Sequence, residues 1–355
     1  MSGMITKQFF GTMEDGSAVH TYTMKNDAGM LVRISDLGGA VMELRVPDRF
    51  GRMSDIVAGY DSVRDYMMDT TYAGALVGRV ANRIDRGRFE LDGKAYQIYC
   101  NSGVNSLHGG RVGYSHRIWS VKAEDGEEPK LTLSLVSPDG EENYPGTLSV
   151  TVVYTLLRSN ALSIAYSATT DKKTVVNLTN HTYFNLGGYA SGKIFDHVLQ
   201  MDADAYLPTG ENLIPTGELR SVEGTPFDFR EPKSIGRDFC QPNEDLKIAG
   251  GYDHCFCFVG GETAEPVRRI EVYEPNSGRL MQVYTDQPCV QFYSGNFMKN
   301  AECPLKGGYP QSTQSAFCLE TQKMPDAINH PNFTNTVLEP GQTYKHTVIY
   351  SFSVR

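Results

Sequence analysis

Two long runs that alternate apolar and polar residues, joined by a turn, constrain this chain more than any other feature. Leu148-Ser149-Val150-Thr151-Val152-Val153-Tyr154-Thr155-Leu156 alternates almost without a break. Leu162-Ser163-Ile164-Ala165-Tyr166-Ser167-Ala168 does so again after Ser159-Asn160. A period of two sends every second side chain to the same face of a strand. The pair therefore reads as a hairpin with one buried face. Leu131-Thr132-Leu133-Ser134-Leu135-Val136 precedes it, closed by the turn residues Ser137-Pro138-Asp139-Gly140. Further strands are expected at residues 30–35, 87–91, 94–99, 198–202, 268–273, 279–285, 289–293 and 344–354. No segment sustains a 3.6-residue apolar period, so helix is expected only as short turns near 61–68 and 231–240. The 35 glycines suit a chain with many turns. The fold class that follows is all-β, a large antiparallel β-sandwich. No linker, repeat or low-complexity tract divides the 355 residues, and a single domain over 1–355 is expected.

Composition narrows the partners. The net charge is −9, without a Lys/Arg-rich run. That argues against nucleic acid, which needs basic surface for its phosphates, and against an anionic membrane surface. No apolar stretch approaches the roughly 20 residues that span a bilayer, and the first residues lack the apolar core of a signal peptide. The seven cysteines are odd in number and scattered; Cys255-Phe256-Cys257 is not a zinc pair and reads as two small buried hydrophobes on one strand face. Reduced thiols and a cytoplasmic address are expected. Three glycosylation sequons, at Asn177, Asn180 and Asn332, are expected to go unused.

Chemistry-bearing residues stand out against this frame. In Phe317-Cys318-Leu319-Glu320-Thr321-Gln322 alternation puts Phe317, Leu319 and Thr321 on one face and Cys318, Glu320 and Gln322 on the other. An apolar face would anchor the strand while a carboxylate points the other way, at the mouth of a Pro/Asn-rich loop. The bland alternative is a strand-end ion pair. A second run, Val175 to Leu186, puts Asn177, Thr179, His181 and Tyr183 on one face. Such a face is costly to bury unless hydrogen-bonded and reads as the lining of a wet cleft.

Phosphate loops, dinucleotide fingerprints, H-E-x-x-H and nucleophile elbows are absent. What remains is a set of polar segments of the kind that reads sugar hydroxyls: G-R-V-A-N-R-I (78–84), N-S-L-H-G-G (105–110), S-P-D-G-E-E-x-Y-P-G (137–146), V-N-L-T-N-H-x-Y-F-N-L (176–186), Y-L-P (206–208), L-I-P-T-G-E (213–218), D-H-x-F (253–256), V-Q-F-Y-x-G-N-F (290–297) and C-L-E-T-Q-x-x-P-D-x-x-N (318–329). In this order they resemble the aldose 1-epimerases, or galactose mutarotases. The resemblance implies a sandwich of that type and interconversion of the α and β anomers of aldohexoses such as galactose and glucose, with no cofactor and no metal. It assigns Glu320 as general base and His181 as general acid, with His108 helping at the ring oxygen. Asn82, Arg83, Asp253 and Gln291 would bind sugar hydroxyls, and Tyr183 would be a further sugar contact. Arg79 is expected on the opposite face from Asn82, in a structural ion pair, and His254 is expected to be structural. Tyr114-Ser115-His116 and Met324 depart from the family's pattern and bear on specificity.

In this reading the base takes the C1 hydroxyl proton, the acid protonates the ring oxygen, and reclosure on the other face reverses both steps. Glu320 is expected as a carboxylate, and His181 as an imidazolium favoured by Asp253 and Glu320. Other readings stay open at this point. They are a hexose 6-phosphate epimerase, a glycoside hydrolase built on Asp253 and Glu320, a non-catalytic sugar-binding module, and a metal site made of His108, His181 and Glu320.

Overall fold

The computed structural model describes residues 4–355. Its backbone is a nine-stranded antiparallel sheet with two five-stranded sheets packed on it. The large sheet runs, in order, Ser120–Glu124, Lys130–Ser137, Leu148–Leu157, Ala161–Thr170, Tyr344–Val354, Arg279–Thr285, Val267–Tyr273, Val198–Met201 and Lys233–Ser234. The alternating runs pair as the hairpin their pattern requires, Leu148 opposite Thr170 and Leu157 opposite Ala161. One five-stranded sheet is N-terminal: Ile5–Thr12, Ala18–Lys25, Leu31–Ser35, Val41–Pro47 and Met53–Asp55. The other is ordered Arg220–Ser221, Ala203–Leu207, Asp253–Phe258, Cys289–Tyr293 and Cys318–Gln322. One apolar cluster joins all three sheets. Met24, Val32 and Leu44 of the N-terminal sheet, Leu133, Val150, Ile164 and Val348 of the large sheet, and Phe256, Phe292 and Leu319 of the third all belong to it.

Among the described residues the two α-helices are single short turns, Val63–Met68 and Glu244–Ala249. The first lies where it was expected. The second replaces the turn expected near 231–240, where Lys233–Ser234 instead pairs with Val198 and Leu199 at the edge of the large sheet. Asn243 and Gly250 explain the shift. The Asn243 side chain accepts from Leu246 N, and Gly250 closes the helix in the left-handed conformation. Among the described residues no helix is long and apolar enough to cross a membrane. All seven cysteines are free thiols. Cys255, Cys257 and Cys289 share one buried cluster with Met324 and Phe333, so the C-x-C pair packs as expected and the Met324 departure falls in core.

The large sheet holds the Glu320 strand from behind. Tyr350 Oη donates to Leu319 O (3.2 Å), and Thr321 Oγ1 bonds His346 Nε2 (2.9 Å). The run from Val175 to Leu186 is only partly regular, with strand confined to Thr174–Val175 and Thr179–Asn180. Its polar face does not all line a cleft. Asn177 bonds both Lys323 N and Lys323 O, and Thr179 Oγ1 donates to Thr321 O (2.9 Å). These side chains satisfy backbone groups of the neighbouring strand, which is how a polar face can be fully buried.

Arg79 corrects another expectation. It is buried as a structural residue, but it has no carboxylate partner. Its guanidinium donates to Pro145 O (2.9 Å), Gly146 O (3.0 Å), Thr174 Oγ1 (3.1 Å) and Ser137 Oγ (2.6 Å), and lies over the Tyr144 ring. It ties the Ser137–Gly146 turn to Thr174 in the strand Thr174–Val175. Removing it leaves buried carbonyls without donors, at about 1–3 kcal/mol each. Arg79→Ala should lower the urea unfolding midpoint by an amount equivalent to at least about 2 kcal/mol. An unchanged midpoint would show that the turn does not depend on it.

Candidate active site

Backbone placement comes first. Glu320 lies opposite Gln291, and Asp253 opposite Tyr293, in the sheet that ends with Cys318–Gln322. Leu319 and Thr321 face the large sheet, so Glu320 must face the other way. Thr179 and Asn177, stapled to this strand, carry His181 to the same side. The 78–84 and 105–110 segments pair through Arg83–Ile84 and Ser106–Leu107. Asn82, His108 and Tyr72 all adopt left-handed backbone, with φ of 61°, 52° and 60°. Non-glycine residues held there are strained, and such strain collects at functional sites. The H-G-G sequence has a steric reason: Gly109 sits at φ +97°, and a Cβ there would lie 1.9 Å from Gly78 O.

Around these residues is a small cleft of about 100 Å³ that opens to solvent. Of the expected site residues, Asn82, Arg83, His108, His181, Tyr183, Asp253 and Glu320 line it. Gln291 stands behind that wall. Its Nε2 donates to Asp253 Oδ1 at 2.7 Å and so orients that carboxylate. Tyr183 presents its ring to the cleft, while its hydroxyl donates to Thr71 O (3.0 Å). Sequence reasoning missed Thr70, Thr71, Tyr72, Leu107, Tyr293 and Phe297. Tyr293 and Phe297 belong to the V-Q-F-Y-x-G-N-F motif, whose aromatic spacing could have flagged them. Tyr72 sits in a short loop with no pattern to betray it. Neither Tyr114-Ser115-His116 nor Met324 lines the cleft.

At the centre, His181 Nε2 lies 3.5 Å from Glu320 Oε1. The imidazole is held by rings. Tyr183 stacks on it at 4.9 Å and Tyr72 at 6.1 Å, while His108 and Tyr293 meet it edge-on at 5.2 and 6.2 Å. Glu320 Oε2 is buried without a protein partner. His108 Nδ1 accepts the Asn82 N–H at 3.2 Å, which leaves its proton on Nε2, a donor toward the cleft. Donor atoms of His108, His181 and Glu320 do lie within 4.8 Å of one another. A metal needs a lone pair on each nitrogen, and the Asn82 bond leaves His108 Nε2 none. The three fit hydrogen-bonding chemistry better than ligation. His254 is wholly buried, packed on Phe227, with Nδ1 accepting Asp253 N, a structural role as expected.

Burial overrides the expected charges. Desolvation brings His181 down to about 4 from its ordinary value. It holds Glu320 well above the usual carboxylate range, aided by Asp253 and opposed by Arg83. Asp253 is likewise raised by burial, with Arg83 and Gln291 opposing. An imidazolium favoured by nearby carboxylates is therefore not the resting state of the empty cleft.

A cleft of this kind, with an imidazole against a carboxylate among polar and aromatic groups, is suited to a small polar molecule. The chain belongs to the aldose 1-epimerase family, whose model matches residues 20–351. It is 45% identical to the galactose mutarotase of Bos taurus, over 99% of each chain. It is 37% identical to the aldose 1-epimerase of Escherichia coli K12, over 95% of this chain and 96% of that one. The solved galactose 1-epimerase of Lactobacillus acidophilus superposes with a TM-score of 0.86 at 29% identity, covering 99% of each chain.

Glu320→Gln should stabilise the fold at neutral pH. A raised carboxyl pKa favours the folded state only below the unfolded value, about 4.3, and costs stability as pH rises above it. The gain in urea midpoint over wild type should shrink toward zero as pH falls to 4. A variant less stable than wild type at pH 7 would contradict the desolvation account.

Proposed function

We propose that this protein interconverts the α and β anomers of aldohexoses, galactose and glucose among them, with Glu320 as base and His181 as acid. The observation that carries this reading is the contact between one carboxylate and one imidazole in a cleft otherwise lined by hydrogen-bonding and aromatic groups.

The shifts in proton affinity suit the reaction. Opening the ring moves the C1 hydroxyl proton to Glu320 and a proton from His181 Nε2 to the ring oxygen. The pair starts as carboxylate and imidazolium and ends as carboxylic acid and neutral imidazole. Burial raises the affinity of the base and lowers that of the acid, so both transfers gain driving force. The neutral pair that desolvation favours is the one that accompanies the open aldehyde. Rotation about C1–C2 and reclosure return both protons. His108 Nε2–H is a donor for the ring oxygen. Arg83 and Asp253 are hydrogen-bonding groups for hydroxyls, Asp253 being held by Gln291, and Asn82 is a further hydroxyl contact. Phe297, half exposed at the rim, offers a face for the ring's C–H side. We assign no role to a cofactor, and the cytoplasmic address and the single-domain organisation remain part of this proposal.

The cleft favours this reading over hydrolysis, because a hydrolase built on Asp253 and Glu320 has no use for His181 between four rings. Polarimetry on fresh α-D-galactose and α-D-glucose tests it. Both rotations should reach equilibrium faster with protein than without, and a rate equal to the uncatalysed one would refute it. The profile of kcat/KM against pH should be bell-shaped, with macroscopic limbs that belong to the pair. Its acid limb should fall below the ordinary histidine value of about 6.5; a limb above that value would show that burial does not govern His181. Arg83→Ala or Asp253→Ala should raise KM more than they lower kcat, by about 1–3 kcal/mol in kcat/KM. Wild-type constants in both would place the sugar elsewhere.

A further inference from the structure

His181 has a second nitrogen, and what that nitrogen touches is unusual. Catalytic imidazoles are commonly oriented by a carboxylate or a backbone carbonyl behind the ring. Here Nδ1 faces the sulfur of Cys318, at 3.3 Å. Cys318 is fully buried, two residues before Glu320 on the same strand face, and packs with Tyr183, Tyr293 and Ala316. One strand thus presents both polar side chains that approach the ring nitrogens of His181, the thiol to Nδ1 and the carboxylate to Nε2.

The proton cycle sets a requirement on Nδ1. When His181 gives its Nε2 proton to the ring oxygen, the remaining proton must sit on Nδ1, because Nε2 has to take a proton back on reclosure. Something must accept from Nδ1–H throughout. We propose that Cys318 is a positioning residue for the acid–base step: its sulfur accepts the Nδ1–H of His181 and reserves Nε2 for proton exchange with the sugar. This rests on the proposed function for its kinetic consequence, but the hydrogen bond can be read without any activity.

Choice of sulfur has a chemical logic. A carboxylate behind the ring would stabilise the imidazolium and make it a poorer acid. A thiol is a weak, uncharged acceptor, and burial keeps it protonated by pushing it well above its ordinary value. It fixes which nitrogen reacts without adding charge. The groups facing the ring are Glu320, His108, Tyr72, Tyr183, Tyr293 and Cys318. Of these side chains only Glu320 and Cys318 make a polar approach to a ring nitrogen in the empty cleft; the backbone carbonyl of His181 itself also bears on the ring.

The test compares Cys318→Val with Cys318→Ser. Valine keeps the apolar packing and deletes the acceptor, whereas serine keeps an acceptor and disturbs the packing. If Cys318 is only core, valine should be the better replacement. The proposal expects the reverse: kcat falls about tenfold or more in Cys318→Val, the size of an outer partner's effect, with KM unchanged and activity largely kept in Cys318→Ser. A Cys318→Val enzyme with wild-type kcat overturns it. Nitrogen-15 NMR of histidine-labelled wild-type protein, with His181 assigned from the spectrum of His181→Asn, reads the tautomer directly. Neutral His181 should carry its proton on Nδ1. A proton found on Nε2 overturns the proposal whatever the variants do. If the tautomer is as expected and neither wild-type protein nor any variant exchanges anomers, the proposed function fails, and with it the kinetic role of Cys318, while the hydrogen bond to His181 stands.

Discussion

Everything at the site depends on how the strand Cys318–Gln322 is fixed. It pairs with Cys289–Tyr293 on one edge. Tyr350 and His346 hold it from the large sheet, and Asn177, Thr179 and their neighbours staple the His181 segment to it. Because side chains alternate, fixing Leu319 and Thr321 inward fixes Cys318 and Glu320 outward. The carboxylate and the thiol are thus set by strand register, and the imidazole by the hydrogen bonds that tie its segment to that strand. Sites on rigid elements hold geometry better than sites on loops.

That rigidity comes with burial, and burial sets the chemistry. Glu320, Asp253 and His181 are almost out of contact with water, with residual exposures of 2%, 8% and 4%. In such surroundings desolvation outweighs attraction between opposite charges. Two carboxyls and an imidazole that would be charged at the surface are pushed toward neutrality. An acid made stronger and a base made stronger are what a reversible double proton transfer uses, and they cost the fold stability to keep.

The architecture was largely legible in the sequence where one strand face is buried and the other exposed. The hairpin of Leu148–Leu157 and Ala161–Thr170 and the strands Arg279–Thr285 and Tyr344–Val354 carry a period of two for that reason. Legibility failed where side chains serve the backbone. Asn177 and Thr179 look like a wet face because they are polar, yet they satisfy carbonyls of the next strand. Arg79 looks like half of an ion pair, yet its partners are neutral carbonyl and hydroxyl oxygens that no charge pattern reveals. The N-terminal strand Ile5–Thr12 is exposed on much of its length and shows no clean alternation. At the site, family motifs located Glu320, His181 and most of the cleft wall. They did not show that Gln291 stands behind Asp253, or that Tyr72 closes over His181. Those depend on which residues face each other across sheets, and a single chain does not display that.

The central claim is that the Glu320–His181 pair carries both proton transfers. It is tested most directly by two-dimensional exchange NMR on an equilibrated mixture of galactose anomers, which reads the α–β exchange rate without any net reaction. Folded Glu320→Gln and His181→Asn should each lose at least about 10² in exchange rate. The double variant should be far less than multiplicatively worse, since the two groups act in one exchange. A folded Glu320→Gln protein that exchanges anomers at close to the wild-type rate would contradict the account.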